Sequence, residues 1–408
     1  MSPLRFTFIL SLMLFALPAS SQDRPSIRVG NVLRIDPRVK VQADLQGFSP
    51  HIDTAQGKFD LARARVGVEG EFLKHFEYEL EYELREAIGG RDVEQPLRDA
   101  YINFKYLNNV QIKAGKFKIP FSAEQLTGEF NTEFVNRSRI ADDLAPARDL
   151  GVVVHGQLFD DALGYEVGAF RNDGENSESS LDVRSNRTFA ARVVGMPLQV
   201  FSLPGDWDEI KVGASMARGV VPEGMNSLRG RTISGDTFFP HVYVQGRRMR
   251  YGAEAAWRPG PFSIQSEFIH VSEAREGQGV RADNLPEKIS RGWYLTGTWA
   301  VTGESKENGV EPRRNFLTEG FGAIELAARY EQMRFGSSAP GLGFSSPRAP
   351  KLMGNSDRVW TVGVNWYLNR FSKIQFNGIQ ETIEDARRSP IAGRERFRTG
   401  IIRFQFSM

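Results

Sequence analysis

From about residue 38 to the end of the chain, apolar and polar side chains alternate for short stretches, a turn intervenes, and the alternation resumes. In FEYELEYEL (76–84), Phe76, Tyr78, Leu80, Tyr82 and Leu84 take one side, and Glu77, Glu79, Glu81 and Glu83 take the other. VKVQADLQG sets Val39, Val41, Ala43 and Leu45 against Lys40, Gln42, Asp44 and Gln46. ARARVGVEGEF sets Ala62, Ala64, Val66, Val68 and Phe72 against Arg63, Arg65, Glu69 and Glu71. RYGAEAAW, AIELAARY and GIIRFQFSM repeat the pattern, with Arg250, Arg329 and Arg403 on their polar sides. A period of two is the mark of a strand with one apolar and one polar face, and no sustained helical stripe competes with it.

The pattern predicts strands near 38–47, 59–72, 76–86, 97–106, 109–117, 150–159, 163–171, 188–197, 209–219, 242–257, 262–271, 291–301, 322–332, 358–368, 372–382 and 396–408, sixteen in all. Their connections alternate in length. Residues 73–75, 107–108, 160–162, 258–260 and 369–371 are short, whereas 120–149, 172–187, 220–241, 272–290 and 336–357 are long. The connection 302–321 is long where a short one is due, which reads as an insertion.

Two architectures use such strands. A soluble sandwich or propeller buries the apolar face in a dry core, whereas a transmembrane barrel turns it to lipid and the polar face to a bore. Strands of about ten residues suit a tilted bilayer crossing. Alternating short and long connections, and aromatics at strand ends (Tyr101, Tyr106, Trp257, Trp299, Tyr330, Trp366, Tyr367), favour the barrel. The expected fold is therefore all-β: a transmembrane antiparallel β-barrel of about sixteen strands with a long inward-folding loop. A basic residue on the lipid face at mid-bilayer costs roughly 2–4 kcal/mol. Arg63, Arg65 and the glutamates thus fix which face looks inward, and a one-residue slip would put all of them into lipid.

Ahead of the strands, MSPLRFTFILSLMLFALPASSQ has the layout of a secretory signal, with Arg5, an apolar run, then Ala19 and Ser21 before a cut at Gln22. This gives a signal peptide at 1–21 and a barrel domain at 22–408. Without the leader, 51 basic residues balance 50 acidic ones, which argues against a nucleic-acid partner. The absence of cysteine excludes a disulfide scaffold and thiolate metal sites. Arginine outnumbers lysine 40 to 12; a GC-rich genome and an arginine-lined pore explain that bias equally well.

Seven segments in order resemble the phosphate-selective porin O and P family of Gram-negative outer membranes. They are FDLARARVGVEGEF (59–72), LRDAYINF (97–104), KAGKFKIPFSAEQL (113–126), ARDLGVVVHGQL (147–158), YLTGTWAVTGE (294–304), IELAARY (324–330) and VGVNWYLNR (362–370). The resemblance implies a sixteen-stranded homotrimeric barrel in the cell outer membrane, lined by basic residues and passing small anions such as phosphate. It also guides the strand count given above.

The bore is where chemistry is expected, since charges in a narrow passage select ions. Arg63, Arg65, Lys113, Arg250, Arg329 and Arg403 fall on inward steps as pore-lining, anion-binding candidates. Lys118 reads as a solvated rim residue. Glu69, Glu71, Glu77, Glu79, Glu81 and Glu83 form a candidate lumenal acidic stripe, segregated from the basic one. If the turn 73–75 centres on Lys74, Arg65 stands across from Glu83, Glu69 from Glu79 and Glu71 from Glu77. The segment 120–149, carrying Arg137, Arg139 and Arg148, is expected to fold inward as a constriction loop. Five dispersed histidines and no nucleophile elbow or zinc motif leave no catalytic residue, metal or cofactor expected. The reading is a passive anion porin. The alternatives are a general diffusion porin with little selectivity, an outer-membrane barrel enzyme, and a soluble secreted β-protein.

Overall fold

Sixteen long strands succeed one another around a closed sheet in the computed structural model, which describes residues 25–50, 59–86, 95–177, 187–201, 207–279, 281–307, 309–339 and 347–408. The expected leader at 1–21 lies outside these residues. The first eight are β1 (Leu33–Ser49), β2 (Phe59–Phe72), β3 (Phe76–Glu83), β4 (Leu97–Leu107), β5 (Val110–Lys118), β6 (Arg148–Leu158), β7 (Leu163–Phe170) and β8 (Thr188–Gly195). The rest are β9 (Lys211–Gly224), β10 (Val244–Trp257), β11 (Phe262–Arg275), β12 (Leu285–Ala300), β13 (Ala323–Ser337), β14 (Asn355–Asn369), β15 (Ser372–Ile383) and β16 (Arg396–Ser407). Each pairs antiparallel with the next, and β16 returns to β1 with Ile402 opposite Leu45. Closure satisfies every edge, which hydrocarbon could not.

The faces follow the alternation. Along β12, Trp293, Leu295 and Trp299 are 38 %, 48 % and 44 % exposed on the outside, while Ser290, Tyr294, Thr296 and Thr298 on the alternate steps are buried inside. The β2–β3 hairpin turns at Leu73 and Lys74, both with positive φ. Its register pairs Arg65 with Glu83, Glu69 with Glu79 and Glu71 with Glu77, as the centring on Lys74 requires.

The interior departs from a polar lumen all round. Residues 119–147 lie among inward side chains, with helical turns α1 (Ala123–Leu126) and α2 (Arg139–Asp143) capped by Ser122 and Ser138. Residues 225–243, within the long connection after β9, also fold in. Phe121, Ile140, Leu144, Leu228, Phe238 and Phe239 pack on Ile269, Tyr294, Met333 and Phe335 in an apolar core. Among the described residues, β1–β4 contribute none of its fully buried members. A strand pattern could not show this core, because the apolar partners sit on irregular segments and each wall supplies only one or two apolar inward residues.

The described parts of the long connection 302–321 bond back to the neighbouring short turns, Lys306 N–H to the Gly260 carbonyl and Phe316 N–H to the Leu368 carbonyl. Its Lys306 reaches inward to Glu325 of β13 and to Glu133, 3.2 Å away on the inner segment. Phe316 and Phe321 pack on Trp366, at 4.7 and 5.0 Å between ring centroids.

Candidate anion site in the bore

The glutamates of β2 and β3 face one another across the ladder, an unfavourable arrangement unless cations intervene. Neighbouring strands supply them. Arg38 of β1 bridges Glu69 and Glu79, both at 2.6 Å. Lys105 of β4 bridges Glu77 at 2.8 Å and Glu71 at 3.2 Å. Lys40 binds Glu81, and Arg65 reaches Glu81 at 3.1 Å and Glu83 at 3.0 Å. The candidate acidic stripe is therefore laced with cations rather than segregated from them. Lys40 was legible as inward, but only the barrel's three-strand geometry shows that it falls within reach of Glu81.

Above this ladder, Glu129 of the inner segment sits among arginines. Arg65 lies at 2.7 Å, Arg137 at 3.3 Å and Arg148 at 3.8 Å. Burial alone would push this carboxyl up, but Arg65, Arg137, Arg148 and Arg63 together hold it well below the usual carboxylate range. Arg63 donates to Gln42 at 2.8 Å, and Lys118 to the carbonyls of Leu126 and Thr127 at 3.1 and 2.8 Å. Neither has a carboxylate within ion-pair distance among the described residues. Arg98 leans toward Glu175 at 3.4 Å, and Asp99 accepts from Arg148 at 2.7 Å. Four arginines, Arg63, Arg65, Arg137 and Arg148, thus converge on the one carboxylate of Glu129. The chemistry on offer is a set of partly used forks and an ammonium, suited to a tetrahedral oxyanion.

Lys118 is not a solvated rim residue. The ladder runs unbroken through Gly115 to the end of β5, and the long stem of Lys118 carries its ammonium to carbonyls of the inner segment. Lys113 points inward as its parity requires, 4.9 Å from the ring of Tyr101 and 5.5 Å from that of Phe117.

Arg250, Arg329 and Arg403 are inward too, with their forks engaged by acceptors of the protein. Arg250 binds Asp173 and the Leu144 carbonyl, 2.9 Å away. Arg329 holds Glu124 at 3.0 Å and the Asn136 carbonyl at 3.1 Å. Arg403 forks onto Asp44 with two 2.6 Å bonds and grips the Val135 carbonyl at 2.7 Å. Each anchors the inner segment. Arg139 is likewise structural: it pairs with Asp143 at 2.7 Å and donates to the Arg231 carbonyl at 3.2 Å. Inward parity was readable from sequence; occupation of the donors was not, because the acceptors come from an aperiodic segment.

The model of the family "Phosphate-selective porin O and P" matches residues 35–407. The chain belongs to that family. This porin is 24 % identical to Porin O of Pseudomonas aeruginosa over 371 residues, covering 82 % of this chain and 80 % of that protein. Its fold is similar to a loop-deletion mutant of OmpT, an outer membrane protein of Vibrio cholerae, at TM-score 0.60 and 11 % identity over 93 % of this chain and 100 % of that one. It is also similar to an anion-selective porin from Comamonas acidovorans, at TM-score 0.57 and 11 % identity over 92 % and 99 % of the two chains. The barrel is that of a Gram-negative outer-membrane porin.

Proposed function

We propose that this porin passes small anions, phosphate among them, along the β1–β4 wall and through the basic cluster around Glu129. The observation that carries the reading is the local excess of cations there, with Arg63 and Lys118 lacking carboxylate partners among the described residues. The names of Porin O's family and of the Comamonas porin support the same sign of selectivity. Residues 119–147 narrow the bore and present Arg137 and Glu129 to the passage, while Lys113 draws anions in the half of the bore nearer the short turns. Attraction is strong because unit charges 4 Å apart interact by about 4 kcal/mol at an effective dielectric of 20. Glu129 tempers that attraction, so that an ion held by several weak sites can leave again. Transport is passive. The protomer assembles as a homotrimer, a reading supported by the trimer form recorded for OmpT, and residues 1–21 direct export.

The test is the reversal potential of the purified porin in a planar bilayer under a salt gradient, in chloride and in phosphate. Anion preference that weakens in Arg63→Ala and Lys118→Ala supports the proposal. Cation preference overturns it, and equal permeability to both signs makes the protein a general diffusion porin.

A further inference from the structure

Arg291 of β12 and Arg334 of β13 are direct cross-strand partners, and both point outward, away from the bore. Directly opposed like charges repel one another. Arg358 of β14 and Arg396 and Arg398 of β16 are also exposed on the outer face, in the half of each strand nearer its long connection. Long connections mark the external end of such barrels.

The depth of these arginines is set by aromatics on the same face. Tyr330 lies 5.5 Å from Trp293 and 4.7 Å from Trp360 between ring centroids. Rings of this kind sit where hydrocarbon meets headgroups. Arg291 and Arg358 each stand one outward step beyond a tryptophan of that cluster, toward the external end. The acids nearby are few. Glu384 meets Arg334 at 3.1 Å, and Glu287 lies 3.7 Å from Arg247. Arg291, Arg358, Arg396 and Arg398 have no carboxylate within ion-pair distance among the described residues. Interfacial depth makes an outward arginine tolerable, but does not offset the repulsion within a cluster of them.

We propose that the outward arginines of β12–β16 form a docking surface for the phosphorylated headgroups of outer-leaflet lipid. A guanidinium binds phosphate oxygens two at a time. One phosphate seated between Arg291 and Arg334 turns their mutual repulsion into two attractions. Lipid is favoured over free phosphate because the wall below, with Leu295, Leu326 and Val362 exposed, suits acyl chains attached to the same headgroup.

The experiment titrates the full-length detergent-solubilised porin with lipid A and with its dephosphorylated form. The wild type is expected to bind lipid A at least tenfold more tightly. The quadruple variant R291Q/R334Q/R358Q/R398Q is expected to lose that preference while keeping wild-type conductance and reversal potential, which shows an intact barrel. Should the quadruple variant fold poorly, R291Q/R334Q alone is expected to reduce the preference about fivefold. Equal wild-type binding of the two lipids overturns the proposal, as does an unchanged preference in both variants. Displacement of lipid A by millimolar inorganic phosphate, with no dependence on acyl chains, overturns it as well.

Discussion

Arg65 of β2 stands directly opposite Glu83 of β3, and its guanidinium also reaches Glu129 of the inner segment, 2.7 Å away. One side chain thus ties the wall to the segment that fills the bore. Its own exposure is only 4 %, so its partners have little water to turn to. Arg65→Ala leaves Glu81, Glu83 and Glu129 short of a cation in a buried site, and breaking such a pair costs about 3–5 kcal/mol. The expected outcome is a lower unfolding midpoint in detergent together with a reversal potential shifted toward cations. An unchanged midpoint would remove Arg65 from this role.

Glu129→Gln acts in the opposite direction on selectivity. It removes the negative charge at the centre of Arg63, Arg65, Arg137 and Arg148, so anions are held more firmly. Expected are a reversal potential moved further toward anions and a smaller phosphate current, because release slows when binding is too favourable. Single-channel recordings in phosphate check both.

The same substitution isolates a pH effect. Despite its burial, Glu129 titrates well below its ordinary value of 4.5 because of the surrounding arginines. A depressed folded-state value means that the stability contributed by ionised Glu129 is complete above about pH 4.5 and is lost as pH falls through the lower value. The unfolding midpoint of the wild type should therefore exceed that of Glu129→Gln at pH 7, with the gap shrinking by pH 3. A gap that is constant over this range would show that Glu129 is not held ionised by its neighbours.

The barrel was legible because lipid imposes a rule that a sequence displays: FEYELEYEL and AIELAARY cannot be read in any other register without putting Glu81 or Arg329 into hydrocarbon. The β2–β3 pairing followed from one short turn at Lys74. The site was only half legible. Arg63 and Arg65 face the basic cluster as alternation requires, yet the same alternation gave Arg250 and Arg403 equal standing, and these hold Asp173 and Asp44 instead. Lys118 was missed because its ammonium goes to the Leu126 and Thr127 carbonyls, acceptors that only the inner segment supplies. Periodicity assigns a side chain to a face; it carries no information on which acceptor an aperiodic segment will bring to meet it.

Gly115 offers a direct check on the strand end that carries Lys118. A Cβ built there would lie 2.2 Å from the Ala100 carbonyl oxygen and 2.7 Å from the Tyr101 Cα, at a φ of 136° that L side chains avoid. Gly115→Ala should cost about 1–3 kcal/mol and shift the end of β5, drawing Lys118 away from the carbonyls of Leu126 and Thr127. The unfolding midpoint should fall, and the reversal potential should move toward cations as it does in Lys118→Ala.

Lys306 offers the last test, because through it the 302–321 connection enters the bore's charge network. It compensates Glu325 of β13 and Glu133 of the inner segment, and it is itself almost wholly buried. Lys306→Met keeps most of the stem's packing but leaves two carboxylates without their cation. Glu325 retains Asn365 at 2.8 Å and Tyr367 at 2.9 Å, so the wall should hold its shape. Glu133 keeps no comparable side-chain partner among the described residues, and its turn should loosen. The expected signature is therefore kinetic: added open-channel noise and brief closures in single-channel records, with a modest loss of anion preference. Restoration of quiet openings by Lys306→Arg would show that the charge is what steadies the segment. Quiet openings in Lys306→Met would mean that the connection does not brace the inner segment.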